Sequence, residues 1–205
     1  MRASAVAGLV FANINDELLK KLTSKRSMAS VPFGARYRLI DFPLSNLVNA
    51  GISSVGIITK ENYRSLMDHV GSGVYWDLDR KSGGLYLLPP YLTSGVKRYH
   101  GTVDALYGAR DYIDRCKADY MVICNADVIS NIDISAAVDK HIDNGADVTL
   151  AYRFAKPPVA ARKHGFNAGC RGVVVFVTDL TRGDKRSQKL LLAFQLRYTV
   201  LRAPL

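Results

Sequence analysis

Long apolar runs are what this sequence lacks first. Its 205 residues are 48% hydrophobic, yet no window approaches the roughly 18 consecutive apolar residues that a membrane-spanning helix needs. No membrane association is expected. The N-terminus also lacks the basic, apolar and small-residue succession of a secretory signal, so the expected compartment is the cytoplasm. Cysteine is scarce: Cys116, Cys124 and Cys170 are an odd number, at spacings that match neither a disulfide framework nor a CxxC metal pair. Reduced, buried thiols are the expectation. Acidic residues run short in one region only. Residues 156–205 hold ten Lys or Arg against two Asp, leaving 18 basic against 16 acidic residues in 1–155, so a net charge of +10 belongs mostly to the tail and the body is nearly neutral at +2. Aromatic residues among the tail's charges are few (Phe166, Phe176, Phe194, Tyr198), which argues against a base-stacking platform for nucleic acid.

What is present is a chain long enough for one domain with a real core. Ser4–Phe11 and Ser53–Thr59 are apolar runs of strand length, the pattern of strands buried on both faces of a parallel sheet. Asp16–Leu22, Leu44–Ala50 and Tyr63–Val70 fit helices between and after them, the second closed by Gly51. Gly71–Arg98 holds seven Gly or Pro residues and predicts a long excursion over the sheet. Thr102–Cys116 predicts a helix with Thr102 as N-cap. Tyr120–Asn125 predicts a third buried strand, Asp133 a cap for a helix over Ile134–Asp143, and Asp147–Phe154 a fourth strand. Alternating strands and helices point to an open α/β sheet. After Lys156 the rhythm stops, although Gly172–Thr178 has strand character.

The stretch Val31–Asn46, VPFGARYRLIDFPLSN, organises the rest. Pro32 and Gly34 impose a turn. Arg36 and Arg38 follow with the alternate spacing that puts both on one face of an extended chain, where they could grip an anion. The plainer alternative is that Arg38 and Asp41 pair and tie the loop down.

In open α/β sheets ligands bind beyond the carboxyl ends of strands, near a switch in strand order. Phe11–Asp16, Thr59–Asn62 and Asn125–Asp127 answer that description. A carboxylate such as Asp127 can hold Mg²⁺ against nucleotide phosphates, because Mg²⁺ takes one or two protein carboxylates together with phosphate and water oxygens. An Asp accepting backbone N–H groups at a strand–turn junction is the structural alternative.

Val31–Asn46, Asn49–Ile52, Ser65-Leu66, His69, Trp76–Arg80, Gly83-Gly84, Leu88–Pro90, Gly101–Ala105 and Asn125–Asp127, taken in order over residues 3–154, resemble the bacterial glucose-1-phosphate adenylyltransferases (ADP-glucose pyrophosphorylases). The resemblance implies an α/β, Rossmann-like nucleotidyltransferase domain of three layers with a mostly parallel sheet, followed in complete members by a left-handed β-helix domain. It implies the conversion of ATP and glucose 1-phosphate to ADP-glucose and pyrophosphate with Mg²⁺, for glycogen or starch synthesis. By the same resemblance Gly8, Arg38, Gly101, Thr102 and Asp104 fall at nucleotide-binding positions, and Asp127 at the catalytic and metal-holding one.

The departures are specific. Where catalytic members carry GGxGxRLxPLT after the first strand, residues 8–16 read GLVFANIND: only Gly8 remains, the Arg is absent, and Asp16 adds repulsion toward phosphate. The family's RxKPAVPFGG appears as residues 26–35, RSMASVPFGA, with Met28 in place of the Lys, which removes a charge that phosphoryl chemistry uses. TQY becomes Thr59-Lys60-Glu61, WYxGT becomes residues 98–102, RYHGT, and GDH becomes Ala126-Asp127-Val128. These losses resemble the GlgD-type regulatory subunit of some Gram-positive bacteria. They imply a weakly active or inactive chain in a hetero-oligomer with a catalytic GlgC-type subunit, with ATP or ADP-glucose as candidate ligands. A catalytically active adenylyltransferase stays open as the alternative. The family's later sugar-phosphate motifs are not recognisable in 155–205, which predicts a domain over 1–154 and an off-pattern, truncated or frame-disrupted remainder.

Overall fold

The computed structural model describes residues 6–12, 16–90, 99, 101–155 and 169–179. Every residue of β1, Val6–Phe11, is buried. A strand apolar at each successive position can only lie inside a sheet covered on both faces. It pairs in parallel with β4 (Ser54–Ile58) on one side and β6 (Tyr120–Asn125) on the other. Beyond β4 comes β5 (Gly84–Leu88), again parallel. Beyond β6 lie β8 (Gly169–Asp179) and then β7 (Val148–Ala155), with β8 antiparallel to both neighbours. The order is β5-β4-β1-β6-β8-β7, a mostly parallel sheet.

Alternate residues of the strands serve two layers. Val6, Val10, Val55, Ile57 and Val122 pack against helices α1 (Asp41–Asn49), α2 (Arg64–Val70) and α5 (Ile134–Asp143) through Leu44, Leu47, Leu66, Val70, Ile134 and Val138. Ala7, Leu9, Phe11, Met121 and Ile123 pack against α3 (Thr102–Gly108) and α4 (Arg110–Arg115). This is the three-layer α/β fold that the sequence predicts. Complete burial of each Leu or Ile here contributes about 2 kcal/mol. The expected α5 cap is present, with Asp133 Oδ1 accepting the Ala136 N–H at 3.0 Å. Gly51 follows α1 at φ 77°, the left-handed stop that an L side chain resists.

Four expectations need correction, and one placement, that of β7, was not foreseen. The region 71–98 contains β5, where Gly83 and Gly84 punctuate the chain because their neighbours come too close for a side chain. A Cβ on Gly83 would lie 2.8 Å from the Ser53 carbonyl oxygen; residues 91–98 lie outside the described set. The helix expected over 102–116 is two helices, broken at Ala109, where Gly108 leaves room for the Tyr99 ring. Thr102 is the first residue of α3 and makes no side-chain cap bond; the cap position is Gly101. The fourth predicted strand, β7, is not next to β6, because β8 from the off-pattern region intervenes. Of the thiols, Cys124 is buried but Cys116 is only half-buried; Cys170 lies in β8, whose side chains are outside the described set.

Candidate functional site

The parallel strands β1, β4, β5 and β6 end at one edge of the sheet. Backbone bonds carry the ladder past their ends: Ala12 N–H to Ile58 O at 2.9 Å, Thr59 N–H to Leu88 O at 3.1 Å and Ala126 N–H to Phe11 O at 2.9 Å. The sheet's order switches at β1, whose next strand in sequence, β4, lies on one side while β6 lies on the other. Ala12, Thr59 and Ala126, which start or lie within the three predicted ligand loops, therefore share this edge. Asp127 sits half-buried one residue beyond the Ala126 bond, and Asn125 beside it is buried. The loop after Asp127 is anchored from α1, where Asn46 Nδ2 donates to Ser130 O at 2.8 Å.

The chain enters α3 from the same edge, since β5 runs parallel to β6 and the α3–α4 segment must cross back between them. Gly101, exposed and extended, and Thr102, buried at the helix start, belong there with the half-buried Asp104. A Cβ on Gly101 would meet nothing within 4 Å, so neither packing nor conformation demands glycine at that point. Gly8 is different. It lies inside β1, three residues before the strand end, and a Cβ there would approach Leu47 Cδ1 to 3.0 Å. Close packing of α1 on the sheet accounts for this glycine, and its carbonyl accepts the Tyr112 hydroxyl at 3.0 Å.

The stretch 31–46 is a clamp. Strands β2 (Pro32–Phe33) and β3 (Tyr37–Arg38) form a small hairpin. Gly34 and Ala35 turn it at φ 60° and 65°, so Arg36 lies in the turn and does not share an extended face with Arg38. The expected two-arginine grip is not formed. Arg38 instead sends Nη1 to Ser65 O at 2.7 Å and Ser65 Oγ at 2.9 Å, tying the hairpin to α2. Nor do Arg38 and Asp41 pair through their side chains. Asp41 Oδ2 accepts the Arg38 backbone N–H at 2.9 Å, and Asp41 Oδ1 meets His69 Nε2 at 2.6 Å. His69 stands 28 residues away, so only folding brings it to Asp41; the family-like run around His69 was the one signal that could have marked it.

Upstream, Asp16 is bonded within the protein. Its Oδ1 accepts the Met28 N–H at 2.6 Å, at the start of a short 3-10 turn over Met28–Ser30, while its carbonyl accepts the Thr23 hydroxyl. An internal carboxylate thus takes the donor that begins this turn. The hydroxyls of Ser27 and Thr59, the latter in one of the predicted ligand loops, are fully buried and make no hydrogen bond within the described structure. Thr59 continues β4 at the site edge.

As for a cation, no group of three or more His, Cys, Asp or Glu among the described residues could hold a metal by itself. Asp127 fits a smaller part, the single carboxylate that Mg²⁺ accepts when phosphates and water fill the remaining positions. Burial pushes the Cys124 thiol up to about 12 and holds the Tyr112 phenol well above its ordinary range, so neither group ionises near neutrality. No helix among the described residues is long and apolar enough to cross a membrane.

Comparison with known proteins agrees with this architecture. Residues 17–167 match the nucleotidyl transferase family. The chain is 48% identical over 143 residues to the glycogen biosynthesis protein GlgD of Geobacillus stearothermophilus, covering 69% of this chain and 42% of that protein. It is 40% identical over 152 residues to the glucose-1-phosphate adenylyltransferase of the same organism (74% and 39% covered) and 40% over 160 residues to that of Pseudothermotoga lettingae (78% and 38%). The chain thus spans about two-fifths of the length of these curated relatives. In fold it is similar to a Bacillus anthracis structure assigned as a glucose-1-phosphate thymidylyltransferase in complex with sucrose. The TM-score is 0.69 at 16% identity, covering 96% of this chain and 85% of that one.

Proposed function

The chain belongs to the nucleotidyl transferase family, and from that premise we propose that it is a regulatory, GlgD-type subunit of glucose-1-phosphate adenylyltransferase. It is weakly active or inactive alone and acts on glycogen synthesis through a catalytic GlgC-type partner. The observation that carries this reading is the Asp16–Met28 bond. Where catalytic members resembling this chain present glycine N–H groups and a Lys to a triphosphate, this chain has no glycine between Gly8 and Gly34. It also sets a carboxylate 2.6 Å from the Met28 N–H. A carboxylate in that position competes with phosphate for the donor and repels it. The similarity to GlgD supports the same reading.

Asp127 is the residue that would hold Mg²⁺ when a nucleotide is bound; the cation would neutralise charge on the phosphates. Gly101, Thr102 and Asp104 are the chain's remaining candidates for contact with the nucleotide. Arg38 and Asp41, engaged with Ser65 and His69, hold the frame of the site. An alternative, a catalytically active adenylyltransferase, draws on the retained carboxylate at the end of β6.

Two measurements decide between them. ADP-glucose formation should be negligible for this chain alone, and adding it to a GlgC-type enzyme should change that enzyme's rate or effector response. Turnover by this chain comparable to a GlgC-type enzyme overturns the proposal. Mg²⁺-dependent ATP binding should be lost in Asp127→Asn with the fold intact, and binding that survives the substitution removes Asp127 from the metal role.

A further inference from the structure

Trp76 is the chain's one tryptophan, and it lines a cleft along α1. The cleft lies between the hairpin, α1, the end of α2 and the 3-10 turn Val74–Trp76, encloses about 790 Å³ and is open to solvent on one side. Large aromatic side chains normally hide, so a cleft that exposes them calls for a partner. Tyr75 is 89% exposed and Tyr37 54% exposed. The Tyr75 and Trp76 rings meet nearly at right angles, with centroids 6.3 Å apart, giving a floor and a wall.

This presentation is built into the backbone. Gly73 and Asp77 bracket the turn in left-handed conformations, φ 84° and 52°. Three bonds close it: Trp76 N–H and Leu78 N–H to Gly73 O, each at 3.0 Å, and Asp77 N–H to Val74 O at 3.0 Å. Arg80 locks Asp77 from outside. A non-glycine residue is held in that strained region only when its surroundings over-determine it. Trp76 is fixed in turn by its indole N–H, which donates to Ser45 Oγ at 3.3 Å.

The polar lining selects the ligand. Asp41, Asp77 and Arg36 line the cleft; Asp77 is paired with Arg80 and Asp41 is bonded to His69, so no excess of positive charge is left for a phosphate. That balance disfavours a phosphorylated ligand. Together with Asn49 these groups are donors and acceptors suited to hydroxyls, while the exposed rings suit an apolar C–H face. One class of molecule offers a C–H face and hydroxyls together without charge. We propose that this cleft binds a neutral sugar chain, its pyranose faces stacked on Tyr75 and Trp76 and its hydroxyls met by Asn49, Arg36 and Asp77. The proposal is independent of whether the chain is regulatory or catalytic.

Because Trp76 is the only indole, its fluorescence reads this cleft and nothing else. Titration of the full chain with maltoheptaose, and separately with cellohexaose, should give a saturable change in emission with at least one of them. Tyr75→Ala should weaken that response at least tenfold; Tyr75 is so exposed that the fold does not depend on it, and circular dichroism of the variant checks this. No response to either chain up to ~10 mM, well beyond the weak end of specific affinity, overturns the proposal. So does a response to glucose 1-phosphate or AMP that neither neutral chain gives, or an emission shift that follows only protein concentration, which marks the cleft as a surface between copies. A response that survives Tyr75→Ala unchanged also overturns it.

Discussion

The strand edge around Asp127 and the aromatic cleft around Trp76 hang on adjacent residues of one helix. Asn46 of α1 holds the loop that follows Asp127, and its neighbour Ser45 takes the Trp76 indole N–H. Yet the two regions are built in opposite senses. Around the edge, the upstream polar groups face inward and are spent on the protein itself: Asp16 on the Met28 N–H, Arg38 on Ser65, Asp41 on the Arg38 N–H and His69. In the cleft, Tyr75 faces outward beside a half-buried Trp76, on a turn bracketed by left-handed residues. A frame held by internal bonds of this kind needs no ligand to keep its shape. Trp76 is half-buried and bonded to Ser45, but the Tyr75 ring beside it is 89% exposed and points to something outside.

The comparison can be broken most forcefully at Asp41, which starts α1 and borders both regions. Asp41→Ala leaves the Arg38 N–H and the His69 ring without their acceptor and should cost about 3 kcal/mol in chemical denaturation. A loss below about 0.5 kcal/mol would mean the clamp contributes nothing measurable. Gly56→Ala acts on the shared sheet instead. The new Cβ would lie 2.7 Å from Tyr112 Cε1 and 3.0 Å from Leu88 Cδ1, a clash costing about 2 kcal/mol, and Trp76 emission in the folded state should not change.

A third test uses pH. Burial disfavours the thiolate and pushes the Cys124 thiol from its ordinary value near 9 up to about 12 in the fold. Below pH 9 both states keep the proton and stability is flat. Above it the unfolded state loses the proton first, so stability falls, by up to about 1.4 kcal/mol per pH unit for this group. Tyr112, raised in the same direction by burial, adds to the decline at higher pH. Denaturation at pH 8 and pH 10 measures the slope, which Cys124→Ala should make shallower. The smallest expected effect is at Asp133. Removing its cap bond to the Ala136 N–H with Asp133→Ala should cost about 1 kcal/mol and leave Trp76 emission untouched, so an altered emission would show that the two regions are coupled through α1.

Much of this fold was legible in the chain because its central strands are apolar at every position. Ser4–Phe11, Ser53–Thr59 and Tyr120–Asn125 read as buried strands and contain β1, β4 and β6, and Asp133 announced its helix. β5 was hidden, since Gly83 and Gly84 look like loop residues until Ser53 is placed against them. Among the site residues, Asp127 was readable as a carboxylate closing a buried strand. The bond between Asp16 and Met28 was not, although both residues had been singled out.

By itself, then, the sequence determined the open α/β alternation and the strand end that carries Asp127, because hydrophobic periodicity and caps are local and survive without neighbours; the layering was what the family resemblance implied. Tertiary structure alone decided that Arg38 serves Ser65 and Asp41 serves His69, that β8 enters between β6 and β7, and that Tyr75 and Trp76 open a cleft. Those outcomes depend on groups 27 or more residues apart in the chain, and spacing along a chain carries no record of which side chains the packing of α1 and α2 will bring within reach.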